Sequence, residues 1–275
     1  MDFKRIEVIF LIVFVCLNIF LFTSYKQNQH VETVNNDDVS QSTLALQEMH
    51  DDQITVPKKL STKVLSGYYL SSQANQALQT ASQRLENQRY SFSDQRLYSR
   101  LVRPLSAKNG KYTTAIKEII DNPRMVALGK HYRYSKLFST TDRIVYTQKL
   151  PEGDLYDAQG EIIFQVTNKQ IVSYEQTYIN KVTTLREKEP TITEKQAVLA
   201  LYSNNALANG ATIKWTTLGY SRLLDANNSS VYIPTWFIAV ENKNSGNIQI
   251  KRINAFSSVL MKASDDANLS SSTSS

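Results

Sequence analysis

The feature that most constrains this chain lies at its start. From Val8 to Phe22 there are fifteen residues without a charge, and only Asn18 among them is plainly polar. Adding Ile6, Glu7 and residues 23–25 gives twenty, and twenty helical residues at about 1.5 Å each span about 30 Å, the thickness of a bilayer's hydrocarbon core. A secretory signal peptide is the alternative, because Lys4 and Arg5 precede an apolar centre of suitable length. Leu21, Phe22, Thr23, Ser24 and Tyr25, however, put bulk where a signal peptidase needs small side chains. The expectation is an uncleaved transmembrane anchor over 6–25. Lys4, Arg5 and the amino terminus lie before it and only Lys26 soon after it, which sets residues 1–5 in the cytoplasm and the body outside.

Within this span an amide such as Asn18 gains from a second helix that satisfies it, unless it meets water or headgroups at the outer interface. Cys16, Asn18 and Phe20 are therefore candidate partner-binding positions, although Cys16 reads as a small apolar filler rather than a lipidation or redox site. It is the chain's only cysteine, so an exported body has no disulfide and depends on packing. The 275 residues hold 8 Gly, 6 Pro, 15 Tyr, 10 Phe and 2 Trp, which excludes collagen-like, disulfide-stapled and wholly disordered chains. A net charge of +6 points to an anionic neighbour without naming one.

The pattern predicts a tether over 26–36 and a short helix from Asp37 to Met49, capped by Asp37 or Asp38. Strands are expected at 54–56, 64–70, 96–103, 131–138, 143–150, 161–167 and 170–185, with Pro104 stopping the third. Helices are expected at 76–87, at 113–121 with Thr113 as cap, and from Thr193, where Thr-Glu-Lys-Gln fits a capping box. Strands at 211–224, 230–240, 248–255 and 259–261 follow, then a disordered Ser-rich tail over 264–275. Sliding the chain by 86 residues makes eight of the thirty-five pairs from 134 to 168 identical, among them Tyr134 with Tyr220 and Tyr146 with Tyr232. The expected fold is α+β: a transmembrane helix followed by two related extracytoplasmic units, 37–168 and 169–263, each a helix plus an antiparallel β-meander.

Catalytic chemistry is not visible. His30, His50 and His131 are scattered outside any H-x-x-x-H or HExxH spacing, and neither G-x-S-x-G nor a glycine-rich phosphate loop occurs. No catalytic, metal or cofactor residue is assigned, and the chain is read as a non-enzyme. One charge pattern stands out: between Arg84 and Lys117 eight basic residues face two acids, Glu86 and Asp94. Arg96, Arg100 and Arg103 are candidate partner-binding residues in it, for anionic lipid, an anionic wall polymer or an acidic partner. The plain alternative is a solvated strand whose acids come from elsewhere in the fold. Nucleic acid does not suit an exported domain, despite Tyr90, Phe92, Tyr98 and Tyr112 among the charges.

The opening MDFKRIEVIFLIVFVCLNIFLF resembles the YycI (WalI) family of Gram-positive bacteria, with Leu17-Asn18-Ile19-Phe20-Leu21 as the family's Leu-Asn-Ile-Phe-Leu-like run. TEKQAVLALYSNNAL, IKWTTLGYSRL, VYIPTWFIAV and INAF are similar too, across most of 190–256. Asn254-Ala255-Phe256-Ser257-Ser258 stands where an N-A-F-T-G-E-like turn is expected. The resemblance implies a single-pass cell-membrane protein that regulates the WalK/WalR (YycG/YycF) two-component system governing cell-wall metabolism. It also implies a YycH-like partner, the sensor histidine kinase as target, and no catalysis.

Overall fold

The computed structural model describes residues 3–28, 36–57, 59–107, 110–226 and 228–262, with the side chains of 3–6, 9, 23–28 and 36–40 left out. The expected tail over 264–275 and most of the tether lie outside the described residues. The chain divides into two compact units, Met1–Glu48 and Met49–Ser275. Helix α1 spans Phe3–Asn28 in the first, and α2 spans Asn36–Asp51. Asp37 and Asp38 therefore lie inside α2 rather than capping it. The large apolar side chains of α1 described between Val8 and Phe22 are all exposed, on every side of the helix.

In the second unit the elements run β1 Ser66–Gly67, β2 Leu70–Gln73, α3 Ala77–Ser82, β3 Gln88–Ser93, β4 Arg96–Ser106, α4 Tyr112–Ile120, β5 Tyr132–Tyr134 and β6 Arg143–Leu150. They continue with β7 Gly153–Asp154, β8 Glu161–Thr167, β9 Gln170–Gln176, β10 Thr183–Thr184 and β11 Glu189–Pro190. Last come α5 Glu194–Ser203, β12 Thr212–Ala226, β13 Ser229–Glu241, β14 Ile248–Asn254 and β15 Leu260–Met261. The result is mixed α+β, with few helices and antiparallel pairing between all named strands.

One sheet has the order β3-β4-β9-β8-β6-β5, with β7 on β6. Its core joins α3 (Leu78) and α4 (Ile116, Ile119, Ile120) to Leu97, Ile144, Ile162, Phe164 and Tyr174 of the strands. The helix α4 has its apolar residues at the three- and four-residue spacing that makes one face. It starts at Tyr112 behind Lys111, which makes no side-chain cap bond, so Thr113 sits in the first turn and is not the cap. A second sheet has the order β10-β2-β13-β14-β15, with β12 on β13, and β1 with β11 makes a third of two strands. From Tyr232 to Val240 every residue of β13 is buried, the unbroken pattern of a strand covered on both faces. Two clusters join the sheets: Leu70, Leu150, Leu155, Ile179, Tyr220 and Tyr232 in one, and Phe138, Val145, Tyr156 and Phe237 in the other. A Cβ at Gly219 would collide with the Tyr156 ring, so glycine there lets the segment after β7 lie against β12.

Several expected elements change length for local reasons. The helix expected over 76–87 ends at Ser82, where turn bonds from Arg84 N to Ala81 O and Leu85 N to Ser82 O unwind it and Asn87 takes φ 58°. Past that turn, from Gln88, the chain forms β3, an edge strand the sequence pattern did not mark. Pro104 does not stop β4, because the register shift between Arg100 and Leu105 absorbs it as a bulge. Thr193 does cap α5: its side chain accepts from Gln196 N, and Gln196 accepts from Thr193 N at 2.8 Å. The boundary expected at 168/169 falls in the β8–β9 turn, at Asn168 and Lys169 with φ 51° and 61°. The sheets do not follow that boundary, since β2 pairs with β13 while β9 pairs with β4 and β8.

Candidate functional site

The basic stretch becomes a folded surface through one turn. Asp94 and Gln95, with φ 50° and 61°, make the two-residue connection from β3 to β4 and fix Ser93 opposite Arg96. Counting back along that ladder sets Arg89 opposite Arg100. Along β4 burial alternates, so Leu97, Ser99 and Leu101 point into the core while Tyr98 and Arg100 are exposed. An open depression of about 410 Å³ lies here, lined by Arg89, Tyr90, Tyr98, Arg100, Ser173 and Glu175 among others.

The three arginines singled out from the sequence separate in the structure. Arg96 is partly buried and pairs with Glu175 at 3.3 Å, so part of the missing acid does come from elsewhere in the fold. Arg100 faces the depression, and Arg103 is exposed within the bulge. Lys108 of the same run lies outside the described residues. Sequence reasoning did not single out Arg89, and its apposition to Arg100 is visible only once the turn fixes the register.

Arg96 also lines a larger cleft, about 550 Å³, with Gln159, Tyr178, Arg222, Asp225 and Tyr232 among its walls. Acids are buried close to this cleft. Burial pushes Glu161 up to about 7 against the pull of Arg143 and Arg96, and no hydrogen bond reaches its Oε2 among the described residues. The Arg143 guanidinium is lowered from its ordinary value, again chiefly by burial. Asp157 is raised by burial although the Arg222 backbone N–H donates to its Oδ2 at 3.0 Å. Among the described residues no group of three His, Cys, Asp or Glu side chains could hold a metal ion.

Cys16, Asn18 and Phe20 belong to the other compact unit. Cys16 and Phe20 are exposed, and the Asn18 amide donates to the Phe14 carbonyl one turn back at 2.8 Å. The helix itself thus satisfies part of that amide. Among the described residues no helix is long and apolar enough to cross a membrane.

Two large antiparallel sheets and a two-stranded one, with few helices, a basic open sheet face and a polar cleft, define a mixed α+β protein. Residues 33–256 match the YycI protein family, and the chain belongs to it. No curated protein matches. Among solved structures, an uncharacterised protein from Eubacterium rectale is similar over 78% of this chain and 92% of its own, at 8% identity and TM-score 0.40. The C-terminal domain of Bacillus megaterium YpeB is similar over 83% of this chain and 96% of its own, at 9% identity and TM-score 0.38. At these scores neither likeness adds to the family assignment.

Proposed function

We propose that this chain is a non-catalytic, membrane-anchored accessory regulator of a WalK/YycG-type sensor histidine kinase that controls cell-wall metabolism. It acts with a YycH-like partner, with residues 6–25 of α1 in the cell membrane, residues 1–5 in the cytoplasm and the body outside. Family membership supports the regulatory role. The observation that carries the anchoring is α1 itself, whose described apolar side chains from Val8 to Phe22 are exposed around the whole helix. A helix apolar on all sides is stable only inside a larger core or a bilayer. The kinase would be shifted only as far as the regulator binds one of its states better, and a tenfold preference needs about 1.4 kcal/mol.

The two sheets are read as related units. Helix α4 precedes β5, β6, β8 and β9 as α5 precedes β12, β13, β14 and β15, and the 86-residue offset lays buried Tyr146 on buried Tyr232. The test of the regulatory reading is crosslinking from Cys16, Asn18 and Phe20, each replaced in turn by a photoreactive residue in the native membrane. Capture of the kinase or of a YycH-like protein is expected; capture of lipid alone would overturn the helix-contact reading. A second reading, a module for anionic wall polymer or lipid headgroups, draws on exposed Arg89, Arg100 and Arg103. It requires binding to anionic polymer that is lost at high salt.

A further inference from the structure

Strand β3 ends the larger sheet and, among the described residues, pairs only with β4. Its first residue is tied down, since the Gln88 side chain donates to the Met125 carbonyl at 3.0 Å. From Arg89 to Ser93 the outer backbone edge meets no other backbone among the described residues. Beside this edge the ladder sets two like charges, Arg89 and Arg100, directly across from one another. Cross-strand neighbours of that kind lie about 4.5–5.5 Å apart at Cβ and repel. Glu175 pairs with Arg96, and no carboxylate among the described residues pairs with Arg89 or Arg100. A cation on an edge strand often serves to discourage aggregation, which would account for Arg89. It does not account for Arg100, which lies on β4, an interior strand.

We propose that the Arg89–Ser93 edge docks an extended acidic segment of a partner polypeptide, which adds a strand to β3 and sets carboxylates on Arg89 and Arg100. A strand laid there repeats its side chains every two residues, about 6.8 Å, and sends one set over the face that holds the arginine pair. Its N–H and C=O groups pair with the open edge, which a phosphate polymer or a lipid headgroup cannot do. Carboxylates relieve the repulsion through charge-assisted bonds to guanidinium. The alternate, apolar set falls on the opposite face, where the exposed ring of Tyr90, which lies across from Ser99, gives it a surface. The docking site lies in the body alone, so its failure would leave the α1 reading standing.

The test uses the full chain in detergent micelles and a fluorescent peptide of alternating Glu and Val, seven residues long, read by anisotropy. Saturable binding is expected, at least tenfold weaker for the peptide with Gln in place of Glu. The same loss is expected for the Arg89→Gln, Arg100→Gln double variant, once its unfolding midpoint matches the parent. Two N-methylated peptides, blocked on alternate residues in opposite phase, probe the edge on the unaltered chain: one phase should abolish binding and the other preserve it. Equal binding by both phases, or an unchanged double variant, would overturn the proposal. So would tighter arginine-dependent binding of polyglycerol phosphate or phosphatidylglycerol vesicles.

Discussion

Two stretches of this chain are apolar for a turn or more, and they meet opposite fates. In β13 the run from Tyr232 to Val240 is buried throughout, because β12, β14 and β2 border it and both large sheets contribute to the clusters around it. In α1 the described large apolar residues from Val8 to Phe22 are 48–73% exposed. The first stretch has its apolar partners within its own unit; for the second, the proposed reading supplies lipid or another protein's helix. Burying apolar surface stabilises by roughly 25 cal/mol per Å², so a helix of this composition gains most where water is absent.

The sharpest way to break that contrast is to shorten a side chain in each stretch. Phe237→Ala removes a ring packed edge-on against Phe138 and Tyr156, with centroids 5.9 and 5.3 Å away. It should cost the body about 3–5 kcal/mol in urea unfolding, the range for aromatic truncation in a core. Phe14→Ala in α1 should change the same transition by less than about 0.5 kcal/mol.

Buried acid makes a smaller, pH-dependent contribution. Glu161 ionises near 7 in the folded chain but near 4.5 when exposed, so the native state keeps a proton that the unfolded state releases. Stability should therefore fall as pH rises from about 4.5 to about 7 and level off above that, by about 3 kcal/mol at most. Asp157, also raised by burial, adds in the same direction. In Glu161→Gln that part of the slope should vanish, and the variant should be the more stable protein at pH 8, measured by denaturant midpoints across the range. A slope unchanged by the substitution would show that Glu161 is ionised in the fold. Smaller still, Thr193→Ala removes one side of the α5 capping box and should cost about 1 kcal/mol in the same assay.

What the sequence made legible depended on whether a signal was local. The α5 cap needs only Thr193 and Gln196, and β6 and β8 match their expected bounds because Ile144, Val145, Tyr146 and Ile162, Ile163, Phe164 form short apolar runs. The strand β3 was not legible: Gln-Arg-Tyr-Ser-Phe-Ser is polar, as an edge strand tolerates, and its turn uses Asp94-Gln95 without the glycine that usually marks such hairpins. The Arg89–Arg100 apposition follows from that turn, and so was hidden with it. The division into sheets was hidden for a longer-range reason, since β2 joins β13 across more than 150 residues.

The central claim is that α1 acts through its own sequence in the membrane and is more than a hydrophobic tether. Replacing residues 6–25 by an unrelated apolar helix of equal length, with the body intact and protein levels matched, tests it directly. The measurement is phosphorylation of the response regulator by the WalK-type kinase in cells. The account predicts output equal to that of cells lacking the protein; output equal to that with the native helix would contradict it.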